Sequence, residues 1–281
     1  MSKPITAALV NELRKRTDLP MMECKAALQA CAGDIEAAID HLRKAGAKAS
    51  LKRAGNETAE GRIGAYFDNA AQVGAIVELR CESAPVAKGE HFVKLAAAVA
   101  EVVAKKNPAS VDALLTADNG KGKSVQDLIH DVIAVLRENM KVQRFTRLEG
   151  GMFGEYVHHD GTLGVLLQAS GSGTNPGLLR DICMHIAAVQ PTPVAARREE
   201  VPAATIAKEK EIAKAKAEAT GKPAQIAEKI AEGQMKTWFA ENVLVEQPFV
   251  KDQAKTVGQV LKEAGLEVTK FVRYKVGEIP A

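Results

Sequence analysis

The chain has 281 residues, of which 46% are hydrophobic and 26% charged, a balance typical of a folded protein with two or three domains. Its formal net charge of +3 and its 4% aromatic content exclude a basic, stacking-rich surface, so we expect no direct nucleic-acid partner. No apolar run approaches the roughly 20 residues that span a bilayer, and the first residues lack the apolar core of a signal peptide. We therefore expect a cytoplasmic protein that does not bind membranes.

Residues 1–54 carry three short amphipathic helical patterns. The first ends near Asp18, and Pro20 starts the second. The apolar face of the second pattern consists of Met21, Cys24, Leu28 and Cys31. Met22 points away from this face.

The third pattern begins at Gly33 and Asp34 and ends at Gly46. Its apolar stripe consists of Ile35, Ala38, Ile39 and Leu42. Three such helices cannot bury a large core. Residues 1–54 are therefore expected to form a small docking module of the ubiquitin-associated type, held to a larger body.

Residues 55–145 show a change of period that predicts strand, strand, helix and helix. Residues 63–67 alternate, a turn-rich segment follows, and residues 75–79 form a second strand, which together predict a hairpin. Two amphipathic helices come next, and Ser124 is the expected cap of the second. The pattern predicts one half of an α+β core.

The same order of elements returns in residues 146–202 and 243–281. In both copies a Glu-Gly pair precedes a tyrosine, Tyr66 or Tyr156, and the glycine that enters the next strand follows at the same offset. This recurrence predicts an internal duplication, with two antiparallel sheets that are each covered by helices. A short helix and an alternating strand near the end are expected to complete the second sheet.

Residues 203–242 are polar and rich in Ala and Lys, with helix-forming residues on both sides of the sequence GKP. Gly221 ends one helix and Pro223 starts the next. We expect an inserted antiparallel helical hairpin of the coiled-coil type. Its seam is expected to include Ile206, Ile212, Ile226 and Ile230.

Two motifs resemble parts of enzyme sites, and each has a simpler structural explanation. The segment GSGTNPG lacks the Lys and the Ser or Thr that follow a phosphate-binding P-loop, and it falls at an expected strand-to-helix turn. His158, His159 and Asp160 are adjacent on a hairpin, so their side chains point apart and the sequence fixes no further metal ligand. We expect no metal site.

The cysteines lack the paired short spacing of zinc or redox sites, and the default expectation is that they are buried free thiols. They are Cys24, Cys31, Cys81 and Cys183. A thiol enzyme that uses Cys81 is the remaining enzymatic alternative, but no sequence signal places a histidine against it. We expect a protein that is not an enzyme, with no catalytic residue.

Several segments of the chain resemble the elongation factor Ts family of bacterial translation. They are LRKRT, MMECKAAL and GDIEAAIDHLRKAG near the N-terminus, EGRIGAY, LEGGMFGEY and QPFVKD in the core, and TVGQVLKEAG and FVRYKVGE near the end. Because these segments are spread over almost the whole chain, a chance match to one short motif is excluded.

This resemblance implies a guanine-nucleotide exchange factor for elongation factor Tu. Such a factor binds the nucleotide domain of its partner, disturbs the magnesium and phosphate site and thereby promotes release of GDP during translation elongation. It works by binding the nucleotide-free partner better than the nucleotide-bound one. It therefore needs no cofactor of its own and acts on the GDP and magnesium of its partner.

The resemblance also implies residues that contact elongation factor Tu. Arg14, Met21 and Met22 match positions that touch its nucleotide domain, although Met21 is equally suited to close the small helical core. Leu163 and His185 match positions near the phosphate-binding region of the partner. His185 flanks an apolar helical stripe, and the alternative is a buried core histidine.

The loop after the second strand departs from the family pattern. The family usually has Thr-Asp-Phe-Val there, and its Asp and Phe wedge beside the magnesium site of the partner. Here the sequence is Ser83, Ala84, Pro85 and Val86. Pro85 is expected to hold Ala84 extended and to form a stiff apolar bump. The alternative function is therefore a structural or chaperone-like partner of elongation factor Tu with weak or no exchange.

Overall fold

The computed structural model describes residues 4–219, 221 and 223–278. The N-terminal module consists of α1 (Ala7–Thr17), α2 (Met21–Ala30) and α3 (Ile35–Arg53). Thr6 caps α1 by accepting from the N–H of Leu9, and Asp34 caps α3 by accepting from the N–H of Ala37. The buried core of the module consists of Val10, Leu13, Leu19, Cys24, Ala27, Leu28, Ala38 and Leu42.

The first half of the core contains one sheet and four helices. Its elements are β1 (Glu60–Asp68), β2 (Val73–Cys81), α4 (Ala84–Lys88), α5 (Glu90–Lys106), α6 (Val111–Thr116), α7 (Val125–Leu136) and β3 (Met140–Glu149). β2 lies between β1 and β3 and is antiparallel to both. The predicted hairpin and both long helices are present, and Ser124 caps α7 in a reciprocal capping box with Asp127.

The second half repeats this arrangement around an inserted hairpin of helices. Its elements are β4 (Met152–Val157), β5 (Leu163–Gly171), α8 (Pro176–Ala188), α9 (Ala203–Glu218), α10 (Ala224–Asn242), β6 (Pro248–Phe249), β7 (Asp252–Thr256), α11 (Val257–Glu263) and β8 (Leu266–Lys275). β5 lies between β4 and β8, so the last strand returns to the second sheet as predicted.

The two three-stranded sheets pack face to face, and each is covered by helices on its outer side, in an α+β fold. Apolar residues on the inner faces form a cluster of Ile63, Ile76, Leu148, Phe153, Leu166 and Tyr274. Outside it, α5 and α7 cover the first sheet, whereas α8 and α11 cover the second. The central strands β2 and β5 carry a register shift after corresponding residues, Glu78 and Gln168.

Three elements of the first half, α4, α6 and β3, lie outside the strand–strand–helix–helix prediction. β3 is the third strand of the first sheet and pairs with β2 along its whole length. The expected division between residues 145 and 146 therefore falls inside β3. The end of the first copy is a strand, as in the second copy, because the central strand of each sheet needs two neighbours to satisfy its backbone.

The third helix of the N-terminal module does not end at Gly46 but continues to Arg53. Gly46 is buried within the helix, where a Cβ would lie 3.1 Å from the Cβ of Ala134 on α7. The missing side chain lets α3 approach α7 closely. This glycine therefore serves a helix contact and not the end of a helix, which would require a left-handed backbone.

The α9–α10 hairpin occupies the range expected for the insertion, and Gly221 between its helices has a left-handed backbone (φ 68°). Its predicted seam is wrong in part, because Ile212 and Ile226 are 37% and 46% exposed. The buried positions between the helices are mainly small: Ala213, Ala217, Ala227 and Met235. Among the described residues, no helix is long and apolar enough to cross a membrane.

Candidate partner-binding surface

The start of α2 presents two methionines to solvent. Met22 is 72% exposed and Met21 is 48% exposed, and Arg14 on α1 is also exposed. The expectation that Met21 lies on the packed face is wrong, because Leu19 just before the helix is 5% exposed and closes the core instead. Flexible, unbranched methionine side chains at such a position are suited to docking.

The segment with the altered family motif is a short helix, α4, and not an extended loop. Ser83 precedes it with an extended backbone (φ −130°, ψ 150°), whereas Ala84 and Pro85 form its first turn. Proline is tolerated there because the N–H groups of the first turn have no partner within the helix. The expectation that Pro85 holds Ala84 extended is therefore wrong. Pro85 is exposed, while Ala84 and Val86 are half-buried.

Helix α4 is fixed to the turn between α7 and β3 through the residue that precedes it. The backbone N–H of Ser83 donates to Oε2 of Glu138 at 3.0 Å, and the Ser83 hydroxyl donates to Oε1 at 2.5 Å. The preceding Glu82 accepts from the backbone N–H of Asn139 at 2.5 Å and from Nδ2 of Asn56 at 3.0 Å. Because the residues of each pair are far apart in sequence, no local sequence pattern predicts these bonds.

Cys81 lies directly before this segment and does not have the environment of a nucleophile. Its side chain is 0% exposed, and its thiol donates to the backbone oxygen of Ser83 at 3.4 Å. Burial, with the nearby Glu138 carboxylate as a smaller cause, raises the pKa of Cys81 to about 12. A thiol that stays protonated at neutral pH is a poor nucleophile, so the thiol-enzyme alternative is not supported.

Leu163 opens β5 next to a turn, residues 158–162, that reaches the first sheet. The N–H of Ile63 donates to the carbonyl of Gly161 at 2.8 Å, which holds this turn against the start of β1. Helix α4 follows Cys81, which pairs with Glu60 at the same end of β1. The fold thus brings half-buried Leu163 and α4 to one end of the first sheet.

The histidine-rich turn has a structural role in the described structure. Nδ1 of His158 lies 2.9 Å from the hydroxyl of Tyr156, and Asp160 accepts from the N–H of Thr162 at 2.8 Å. Within residues 4–219, 221 and 223–278, no group of three or more His, Cys, Asp or Glu side chains is placed to hold a metal ion. The segment GSGTNPG forms a strand-to-helix turn in which Asn175 caps α8.

His185 is a core residue of the second half, as the alternative of a buried core histidine predicts. Its side chain is 0% exposed. Its Nδ1 accepts from the N–H of Val250 at 3.2 Å, so Nε2 carries the proton and donates to Oε1 of Gln247 at 3.1 Å. Burial lowers the pKa of His185. The ring holds the QPFVKD segment against α8.

The exposed methionines at the start of α2 and the exposed Pro85 of α4 are surface features suited to contact with another macromolecule. The family model described as Elongation factor TS matches residues 85–278. The elongation factor Ts of Thioalkalivibrio sulfidiphilus is 47% identical over 98% of this chain and 92% of its own length. The elongation factors Ts of Methylococcus capsulatus and Aeromonas hydrophila are 45% and 43% identical over 98% of this chain, and 92% and 91% of their own lengths are covered. This chain belongs to the elongation factor Ts family.

Proposed function

We propose that this protein is a guanine-nucleotide exchange factor for elongation factor Tu and promotes release of GDP during translation elongation in the cytoplasm. The match to the elongation factor Ts family carries the proposal, because relatives of that name align with 98% of the chain. The function needs only binding surfaces, and exposed Met22 and Pro85 supply two of them.

Exchange by such a protein follows from linkage between two binding equilibria. If the factor weakens the affinity of elongation factor Tu for GDP, GDP weakens the affinity for the factor by the same ratio. Magnesium is a sensitive point in this coupling, since it demands near-octahedral oxygen geometry. A small displacement of the partner's helices or phosphate loop is then sufficient to release magnesium and the diphosphate.

In this mechanism the two surfaces have different roles. The start of α2, with Met21 and Met22, grips the nucleotide domain whether or not the nucleotide is bound, and Arg14 adds a charge beside it. Helix α4, in which Pro85 is exposed and Val86 is half-buried, contacts the partner near its magnesium site.

The remaining predicted contacts have supporting roles. Leu163 lies at the same end of the first sheet as α4 and contributes to the surface that contacts the partner near its magnesium site. His185 contributes by holding residues 247–250 in place and not by touching the partner.

The altered motif gives α4 an apolar rather than an acidic and aromatic surface. Ala84 and Pro85 replace the Asp and Phe that are usual in the family. Because α4 is a helical turn anchored through Ser83, it presents a rigid edge even without an aromatic side chain. We expect a slower exchange than an intact Asp-Phe wedge gives, and not its loss.

The test is release of a fluorescent GDP from elongation factor Tu of the same organism, chased with excess unlabelled nucleotide at increasing concentrations of this protein. Saturable acceleration is the expected result. A complex on a sizing column without acceleration would instead support the structural or chaperone-like alternative. In that case the double substitution Ala84→Asp and Pro85→Phe should create exchange, whereas in an already active factor it should only raise a rate that is present without it.

The grip of α2 is tested by Met22→Ala. We expect a higher concentration for half-maximal acceleration, because truncating an exposed docking side chain removes binding common to both nucleotide states. The matched control is Val194→Ala, since Val194 is 52% exposed on the second half. Equal behaviour of the two variants would contradict the assigned role of Met22.

A further inference from the structure

A single turn in the first half bonds to both proposed contact elements. The turn consists of Arg137, Glu138 and Asn139 between α7 and β3, and we name it the 137–139 turn. Arg137 pairs with Glu23 on α2, and Glu138 holds Ser83 at the start of α4. Three consecutive residues thus touch segments that are otherwise far apart in the chain.

Glu138 is bonded to Ser83, the residue directly before α4. Ser83 stands at the N-cap position, but its hydroxyl donates to Glu138 instead of capping the helix. Both oxygens of the carboxylate are used, since the second accepts from the Ser83 N–H. A five-residue helix cannot hold its own position in water, so its placement depends on such an anchor.

Asn139 extends the anchor to the segment that follows the N-terminal module. Its backbone N–H donates to Glu82, and its side-chain Nδ2 donates to the carbonyl of Asn56 at 2.9 Å. The bonds from Asn139 and Asn56 hold the pKa of Glu82 below its usual range, so Glu82 is charged at neutral pH. The residue before Ser83 is therefore also fixed to the 137–139 turn.

Arg137 contacts the other proposed contact element, helix α2, beside its exposed methionines. It has a left-handed backbone (φ 61°) at the end of α7, and its guanidinium contacts the carboxylate of Glu23, the residue next to Met22. The side chains of this pair are 50% and 38% exposed, so water screens the contact. It is the weaker of the two links.

We infer that the 137–139 turn sets the position of α4 relative to α2, and that Glu138 is a positioning residue for nucleotide exchange. The inference rests on the proposed function for its kinetic consequence, whereas the positioning itself is a property of the free protein. If α4 acts on the magnesium site, a less firmly held α4 stabilises the nucleotide-free complex less, which lowers the maximal rate of GDP release. If α2 contributes binding that does not depend on the nucleotide, a less firmly held α2 lowers the affinity for elongation factor Tu in both nucleotide states.

The first measurement uses the full chain alone and follows amide hydrogen exchange in peptides that cover residues 82–89. Glu138→Ala should speed exchange there by about tenfold, because charge-assisted hydrogen bonds to Ser83 are lost. Glu138→Gln should stay near wild type, since its amide oxygen can accept from the Ser83 N–H while its NH₂ donates to the hydroxyl. The control is Glu101→Ala on α5, which removes a carboxylate that pairs with exposed Lys105 on the surface of the helix.

The second measurement is GDP release from elongation factor Tu, separated into maximal rate and half-saturating concentration. Glu138→Ala should lower the maximal rate by about tenfold, with Glu138→Gln restoring it. Arg137→Ala should raise the half-saturating concentration by about two- to fivefold at an unchanged maximal rate. This exposed substitution keeps the test valid if Glu138→Ala folds poorly.

The outcomes separate the two proposals. If the wild-type protein does not accelerate GDP release, the proposed function fails, and amide exchange still decides whether Glu138 positions α4. If the wild type is active but Glu138→Ala matches Glu101→Ala in both measurements, the positioning role is overturned. Equal losses in Glu138→Ala and Glu138→Gln would also overturn it, since the geometry requires rescue by the amide.

Discussion

Gly164 on β5 lies directly against Ile63 on β1, across the interface between the two sheets. A Cβ on Gly164 would be only 2.4 Å from Cγ2 of Ile63. The same relationship is repeated by Gly74 on β2, where a Cβ would be 2.6 Å from Cδ1 of Phe153 on β4. Each copy thus supplies one glycine and one large apolar side chain, and the glycine of each copy receives the side chain of the other.

This reciprocity predicts that both glycines are required for the sheets to meet. Gly164→Ala and Gly74→Ala should each lower the free energy of unfolding by about 1–3 kcal/mol, because the added methyl group overpacks a filled interface. The measurement is urea-induced unfolding followed by circular dichroism.

The control for these glycine substitutions is Gly233→Ala in α10. Apart from the adjoining residues and backbone of its own helix, no atom of the described residues lies within 4 Å of the position that its Cβ would take. Because Ala is the better helix former, this change should stabilise the protein by about 0.5–1 kcal/mol. A similar gain for Gly164→Ala would show that the sheets do not meet as described.

A second prediction concerns Glu78, a carboxylate buried on β2 with a side chain that is 1% exposed. It accepts from Nε of Arg144 at 2.7 Å, from Nη1 of Arg80 at 3.1 Å and from the N–H of Gly277 at 3.0 Å. Glu78→Ala should cost about 3–5 kcal/mol of unfolding free energy, because it leaves two arginines without their shared carboxylate. The same urea titration measures it.

The matched control for Glu78 is Glu90→Ala, which removes an exposed carboxylate paired with Lys94. Surface pairs contribute little, so no measurable change is expected. If the two substitutions cost the same, Glu78 would not tie the first sheet to the end of the chain as the structure indicates.

Much of the fold followed from periodicity and capping. Ser124 predicted the start of α7 because a cap acts within three residues, and Tyr66 and Tyr156 revealed the duplication because the copies keep their spacing. β3 was missed, since five of its ten residues are charged or amides and alternate only weakly. Gly46 was mistaken for a helix end because the packing of α7 against it is a tertiary contact.

The site was less predictable than the fold because its geometry depends on distant partners. The exposure of Met22 followed from helical period alone. The helical form of Pro85 depends on Ser83 and Glu138, and burial of His185 depends on Gln247. Such pairs lie more than fifty residues apart in the chain, so one sequence carries no signal that joins them.

A third prediction concerns the free thiols. Cys31 is half-buried, whereas Cys24, Cys81 and Cys183 are buried, and burial also raises the pKa of Cys183. Iodoacetamide at neutral pH should therefore modify Cys31 first, and peptide mass spectrometry identifies the site. Cys81→Ala should leave GDP release unchanged, whereas loss of activity in a folded Cys81→Ala variant would revive the thiol-enzyme alternative.

The last prediction is a pH dependence from His185. Its pKa is lowered in the folded protein, so the unfolded chain takes up the proton first as pH falls below about 6.5. The stability contributed by the neutral ring is therefore complete above that pH and is lost as pH falls towards the lower pKa of the folded protein.

His185→Ala should lower the free energy of unfolding by about 2–4 kcal/mol near neutral pH, because Gln247 and Val250 lose their buried partner. The penalty should shrink at about pH 5. His130, whose pKa burial also lowers, is present in both proteins and cancels in the comparison. A penalty that does not change with pH would show that the ring is not held neutral by the fold.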